Sequence, residues 1–102
     1  STGRFAAADK LEVALRGSGG RPRLVIFRMR HVPMMDASGL HAFEVAVEKM
    51  HRDGVQVLLT AVQPQPMKVM HESGLVDRIG LDNFCASIDQ ALERAREILG
   101  ES

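Results

Sequence analysis

The spacing of apolar residues changes along this chain, and each change marks an element. Over Phe5–Arg16, Ala8, Leu11 and Leu15 recur at helical intervals, with Asp9, Lys10, Glu12 and Arg16 left for the wet side. That spacing predicts a helix. Gly17-Ser18-Gly19-Gly20-Arg21-Pro22 breaks it. Leu24 to Met29 opens with four consecutive apolar residues, Leu24-Val25-Ile26-Phe27, as expected of a strand covered on both faces of a parallel sheet. From Ser38 to Asp53 the period returns to three and four, through Leu40, Phe43, Val47 and Met50, and Gly54 supplies a stop. Val55 to Thr60 reads as a second strand. Strand, helix and strand in succession make a βαβ unit, which implies parallel pairing.

Past Thr60 the elements shorten. Ala61-Val62-Gln63-Pro64-Gln65-Pro66 reads as a loop stiffened by two prolines, with Pro66 in the first turn of a short helix over Met67–Ser73. Leu75, Val76 and Ile79 add core residues before Gly80, and Asn83 to Ala86 suits a short third strand. Ser87 followed three residues later by Gln90 has capping-box spacing. The final helix carries Ile88, Ala91, Leu92, Ala95, Ile98 and Leu99 on one side and closes at Gly100. The expected order is α-β-α-β-α-β-α, a single α/β domain over residues 1–102. Ser1-Thr2-Gly3 reads as a cloning remnant, and the start without Met as that of a fragment.

Composition narrows the functional classes. With 102 residues, 45% hydrophobic and 25% charged, the chain has the make-up of one globular domain. A formal net charge of zero and four Phe without Trp or Tyr give no basic field or stacking surface for nucleic acid. One cysteine, Cys85, excludes an internal disulfide and Cys-x-x-Cys sites, and reads as a buried apolar residue. No run approaches the ~20 apolar residues of a membrane span, so this stretch is not expected to insert in a membrane. The glycine cluster at 17–20 precedes a strand, whereas a phosphate cradle follows one, so it reads as a flexible connection.

The candidate site is Pro33-Met34-Met35-Asp36-Ala37-Ser38-Gly39-Leu40, where the first strand gives way to a helix. Open α/β sheets place their working loops at such carboxyl ends of strands. Asp36 or Ser38 can cap the helix, and an anion at Ser38 would meet the positive helix start. The common alternative is a helix start and nothing more. Met34 and Met35 fill core gaps or offer an adaptable partner surface. Arg28 and Arg30 at the strand end read as solvated charges or anion ligands. On the outer face of the helix, Glu48 and Arg52 are four apart and can pair. No catalytic set emerges. His41 and His51 are ten apart on one helix and point to different faces, so they cannot share a metal, and there is no Gly-x-Ser-x-Gly elbow. No enzyme activity, metal or cofactor is expected.

The run from Leu24 to Leu99 resembles a STAS domain, the module shared by bacterial anti-sigma-factor antagonists and the cytoplasmic tails of sulfate-permease (SulP) anion transporters. Asp36-Ala37-Ser38-Gly39 is similar to the Asp-x-Ser/Thr-Gly signature of both branches. Four stretches in order resemble the transporter branch: Phe5-Ala6-Ala7-Ala8-Asp9-Lys10-Leu11, Met35 to Ala42, Val62-Gln63-Pro64-Gln65-Pro66 and Gly74 to Gly80. The resemblance implies a small, largely parallel sheet with about four helices. It also implies a partner-binding loop of Met34, Met35, Asp36, Ser38, Gly39, His41, Gln63 and Gln65. In the antagonists the residue at the place of Ser38 is phosphorylated by a partner kinase.

Two roles follow from the resemblance. One is a non-catalytic regulatory domain at the cytoplasmic side of the inner membrane, within an integral transporter of sulfate-like anions. Its partners would be the transporter's membrane domain, a second copy in a homodimer and a cytosolic regulator. The other is a free-standing phospho-switch acting through Ser38. Nucleotide binding at the same loop is a third reading, with no phosphate cradle to support it. Transporter-branch members usually carry one or two strands before the helix matching Phe5–Arg16, so the leading strand is expected to be missing. An unpaired sheet edge would then drive dimerisation or exchange of an element, with Gly17–Gly20 as hinge.

Overall fold

The computed structural model describes residues 12–16 and 22–100. Its elements run β1 (Glu12–Arg16), β2 (Pro22–Arg28), α1 (Ala37–Arg52), β3 (Gln56–Thr60), α2 (Pro64–Glu72), α3 (Leu75–Ile79), a 3-10 turn (Leu81–Asn83), β4 (Phe84–Cys85) and α4 (Ile88–Leu99). The sheet order is β1-β2-β3-β4. β2, β3 and β4 are parallel, with Val25 opposite Val57, Phe27 opposite Leu59, and Thr60 opposite Cys85.

The expected helix over Phe5–Arg16 needs correction at its end. Glu12–Arg16 is a strand, paired antiparallel to β2 with Val13 opposite Ile26 and Leu15 opposite Leu24. The remainder, Phe5–Leu11, lies outside the described residues. Val13 and Leu15 also alternate with Glu12, Ala14 and Arg16, and so short an apolar pattern fits either period. The β2 edge, rich in unpaired N–H and C=O groups if bare, settles the matter by taking a partner. β2 is therefore not an open edge.

Alternation along the strands divides the core into two layers. Val25, Phe27, Val57 and Leu59 pack with Phe43 and Val47 of α1, Met70 of α2 and Leu75, Val76 and Ile79 of α3. Leu24, Ile26 and Leu58 face Ala91 and Ala95 of α4. The continuous run Leu24-Val25-Ile26-Phe27 is thus buried on both faces. Phe27 and Phe43 meet edge to face, centroids 5.3 Å apart, a favoured aromatic geometry.

α2 begins at Pro64, three residues before the expected start. Pro64 and Pro66 both fit in the first turn, where backbone N–H groups have no helical acceptor. The outer face of α1 carries Lys49–Asp53 at 3.3 Å as its ion pair, in place of Glu48–Arg52. Exposed pairs of this kind add little stability. A second pair, Arg78–Glu44 at 3.0 Å, ties α3 to α1. Gly80 has φ +102, where a side chain is strained. An added Cβ would also stand 3.3 Å from Asn83 Nδ2, an atom already donating to Ile79 O at 2.7 Å.

Candidate functional site

The connection from β2 to α1 is an ordered strap. Met29 N–H donates to Thr60 O at 2.9 Å, and Val32 N–H to Met29 O at 3.0 Å. Met29, Val32 and Met35 are at most 3% exposed. Three apolar side chains spaced by three therefore nail the strap to the core. Between the last two, Pro33 and Met34 project outward, Met34 65% exposed. Of the adjacent methionines, only Met34 offers surface.

Asp36 caps α1. Its backbone is extended (φ −84, ψ 178), and its carboxylate Oδ1 accepts from Gly39 N–H at 2.7 Å. This assigns the cap between the two sequence candidates. Ser38 lies inside the first turn, exposed, with its hydroxyl unused for capping. Gly39 is buried, and His41 is exposed one turn below Ala37. Any charge placed on Ser38 would face water beside the amino end of a 16-residue helix.

Gln63 and Gln65 reach the same strap from the β3–α2 connection. Gln65 accepts from Met35 N–H through Oε1 at 2.7 Å and donates through Nε2 to Met35 O at 3.2 Å. Gln63 Nε2 donates to Arg30 O at 2.6 Å. The two glutamine side chains clamp the backbone on either side of Met34 and so set its position. The sequence signal for this was available: the segments after two adjacent parallel strands are neighbours at one end of the sheet. Beside the clamp, a cavity of about 460 Å³ is lined by Met35, Asp36, Leu40, Gln65, Val69 and Ser73.

The structure therefore brings Met34, Asp36, Ser38, His41, Gln63 and Gln65 to one end of the sheet. Among the described residues no group of three or more His, Cys, Asp or Glu is arranged to hold a metal. No described helix is long and apolar enough to cross a membrane. Cys85, in β4, is half-buried; burial pushes its thiol pKa up, and the nearby Arg94 only partly offsets this. A thiol kept neutral is a poor nucleophile.

An α/β domain with a capped, protruding Asp-x-Ser-Gly turn at the carboxyl ends of its strands defines a class, and comparison identifies it. The STAS domain family matches residues 4–91. The chain belongs to the STAS domain family. It is 32% identical over 68 residues to high affinity sulfate transporter 1 of Stylosanthes hamata, covering 67% of this chain and 10% of that protein. To sulfate transporter 1.2 of Arabidopsis thaliana it is 29% identical over 73 residues, covering 72% and 11%. The chain thus spans about a tenth of the length of these curated relatives. Among solved structures, a sulfate transporter family protein from Wolinella succinogenes superposes with a TM-score of 0.77 at 29% identity, covering 98% of this chain and 84% of that one. The STAS domain of a SulP transporter from Vibrio cholerae shares the fold, with a TM-score of 0.74 at 24% identity over 94% of this chain and 75% of that one.

Proposed function

We propose that this chain is the non-catalytic regulatory and interaction domain of a SulP-type secondary transporter of sulfate-like anions, acting at the cytoplasmic face of the membrane. The observation that carries the reading is its likeness, over nearly its whole length, to a solved sulfate transporter family protein. Its first partner is the membrane domain of its own transporter, met by the Met34–His41 face. Met34 is the apolar contact, and Asp36, Ser38 and His41 surround it with polar groups, the usual arrangement of an anchor inside a polar rim. A second copy of the chain, in a homodimeric transporter, and a cytosolic regulator are further partners.

The phospho-switch reading shares this face. It draws on Ser38 being exposed and free of the capping bond that Asp36 makes. The test is titration of this chain into the detergent-solubilised membrane domain of the same transporter. The transporter reading expects saturable binding that Met34→Glu weakens about tenfold or more, the effect of losing a buried anchor at an interface. Absence of binding, alongside capture of a kinase that phosphorylates Ser38, would transfer the assignment to the switch.

A further inference from the structure

A second cavity, of about 290 Å³, lies where β2 and β3 run out against the start of α4. Arg28, Arg30, Thr60, Ser87 and Ile88 are among its lining residues. Arg28 and Thr60 are register partners on adjacent parallel strands. They continue the rows of Leu24, Ile26 and Leu58, whose side chains face α4. The cavity is thus on the α4 side of the sheet, away from the α1 and α2 layer.

Its polar groups are unbalanced. Thr60 is 2% exposed. No fully enclosed side-chain oxygen among the described residues lacks a partner, so its hydroxyl, which makes none of the side-chain hydrogen bonds, opens onto the cavity. No ion pair among the described residues engages Arg28 or Arg30. Ser87 caps α4 by accepting from Gln90 N–H at 3.2 Å, and Gln90 Oε1 accepts from Ala86 N–H at 3.0 Å. The next N–H groups, of Ile88 and Asp89, have no acceptor earlier in the helix. Among the carbonyls of the lining residues, Thr60 O accepts from Met29 N–H, Ser87 O from Ala91 N–H and Arg30 O from Gln63. No carboxylate lines the cavity. Asp89, the acidic residue of the first turn, is exposed and outside the lining. Two guanidiniums, a hydroxyl and helix-end amides thus converge with no carboxylate among them.

We propose that this cavity binds a small tetrahedral oxyanion, sulfate- or phosphate-like, either free or as the headgroup of an anionic lipid. Arg28 and Arg30 supply charge and paired N–H donors, a geometry suited to oxyanions. Thr60 supplies a fixed hydroxyl donor from β3, and the start of α4 supplies backbone N–H groups. The site is separate from the Met34–His41 face, so its occupancy can be tested without any membrane partner.

The experiment is titration of the chain with sodium sulfate and with sodium phosphate. Ionic strength is held constant with sodium chloride, and the readout is backbone amide shifts with calorimetry. A third arm sediments the chain with phosphatidylcholine vesicles containing phosphatidic acid. Saturable binding in the first two arms, with the largest shifts at Arg28–Arg30 and Ile88–Asp89, is expected for a free oxyanion. Saturation by vesicles alone identifies the headgroup source and equally supports the site. Replacing Arg28 and Arg30 by Gln should weaken binding about tenfold or more per arginine, the scale of a hydrogen bond to a charged partner. Thr60→Val keeps the shape and should weaken binding without altering the unfolding curve. Shifts that are linear with all three salts and no vesicle binding would show an adventitious ion only and overturn the proposal. Unchanged affinity in Thr60→Val together with the arginine variants would overturn it as well.

Discussion

Gln65 commits both ends of its amide to the backbone of Met35, and this single side chain decides whether Met34 is presented or lost. Gln65→Ala would leave a partly buried N–H and C=O without their partner, at a cost of about 1–3 kcal/mol. Denaturant unfolding should read that loss, and membrane-domain binding should fall with it. Ser38→Asp should behave oppositely. The hydroxyl is exposed and makes no cap, and the added charge meets the positive end of α1, so stability should change by no more than about 1 kcal/mol. A loss of several kcal/mol would mean Ser38 is packed rather than presented. Cys85 gives a pH prediction. Its neutral form is favoured by burial in the fold, so its contribution to stability is fully present below the unfolded thiol's pKa. It is lost as pH rises through that value toward the raised folded one. Reaction with a disulfide reagent near pH 8 should accordingly be slower than for an unfolded chain, and unfolding midpoints should drop only in the alkaline range.

At the scale of elements, α4 approaches the sheet through Ala91 and Ala95, both fully buried. Small residues one turn apart let the helix sit close over Leu24, Ile26 and Leu58. Ala95→Leu should overpack this layer and destabilise by about 1–3 kcal/mol, seen in thermal unfolding. Most elements were legible because their periods were long or unmistakable: Leu24–Phe27 could only be a buried strand, and Phe43, Val47 and Met50 could only line a helix. Glu12–Arg16 was not legible. Five residues satisfy the helical and the alternating period alike, and the deciding term was the unpaired edge of β2, which no local pattern records. The candidate strap was half legible. Asp-Ala-Ser-Gly announced a helix start, and Met35 read as core or partner surface; that it is core, in one row with Met29 and Val32, is recorded in no local pattern. The clamp made by the glutamines was not legible, because its hydrogen bonds reach 33 residues back along the chain from Gln63 to Arg30 and 30 from Gln65 to Met35.

For the whole molecule, the sheet separates two working surfaces: the α1 side carries Met34, Asp36, Ser38 and His41, and the α4 side carries Arg28, Arg30 and Thr60. Pairing of β1 with β2 covers the edge that a missing leading strand was expected to leave bare. The outermost described strand on that side is the five-residue β1, a short edge that is a poor template for exchange between copies. Light scattering on the chain alone should therefore report a monomer, with dimerisation belonging to the complete transporter. The central claim is that the Met34–His41 face serves an anion transporter rather than a soluble switch. Uptake of labelled sulfate by cells expressing the complete transporter, lacking other sulfate uptake, tests it most directly. With expression and folding matched, Met34→Glu should reduce uptake several-fold, on the scale of a lost interface anchor. An exposed control on the opposite end, Gln56→Glu, should leave it unchanged. Uptake that is the same in both variants and the parent would contradict the account.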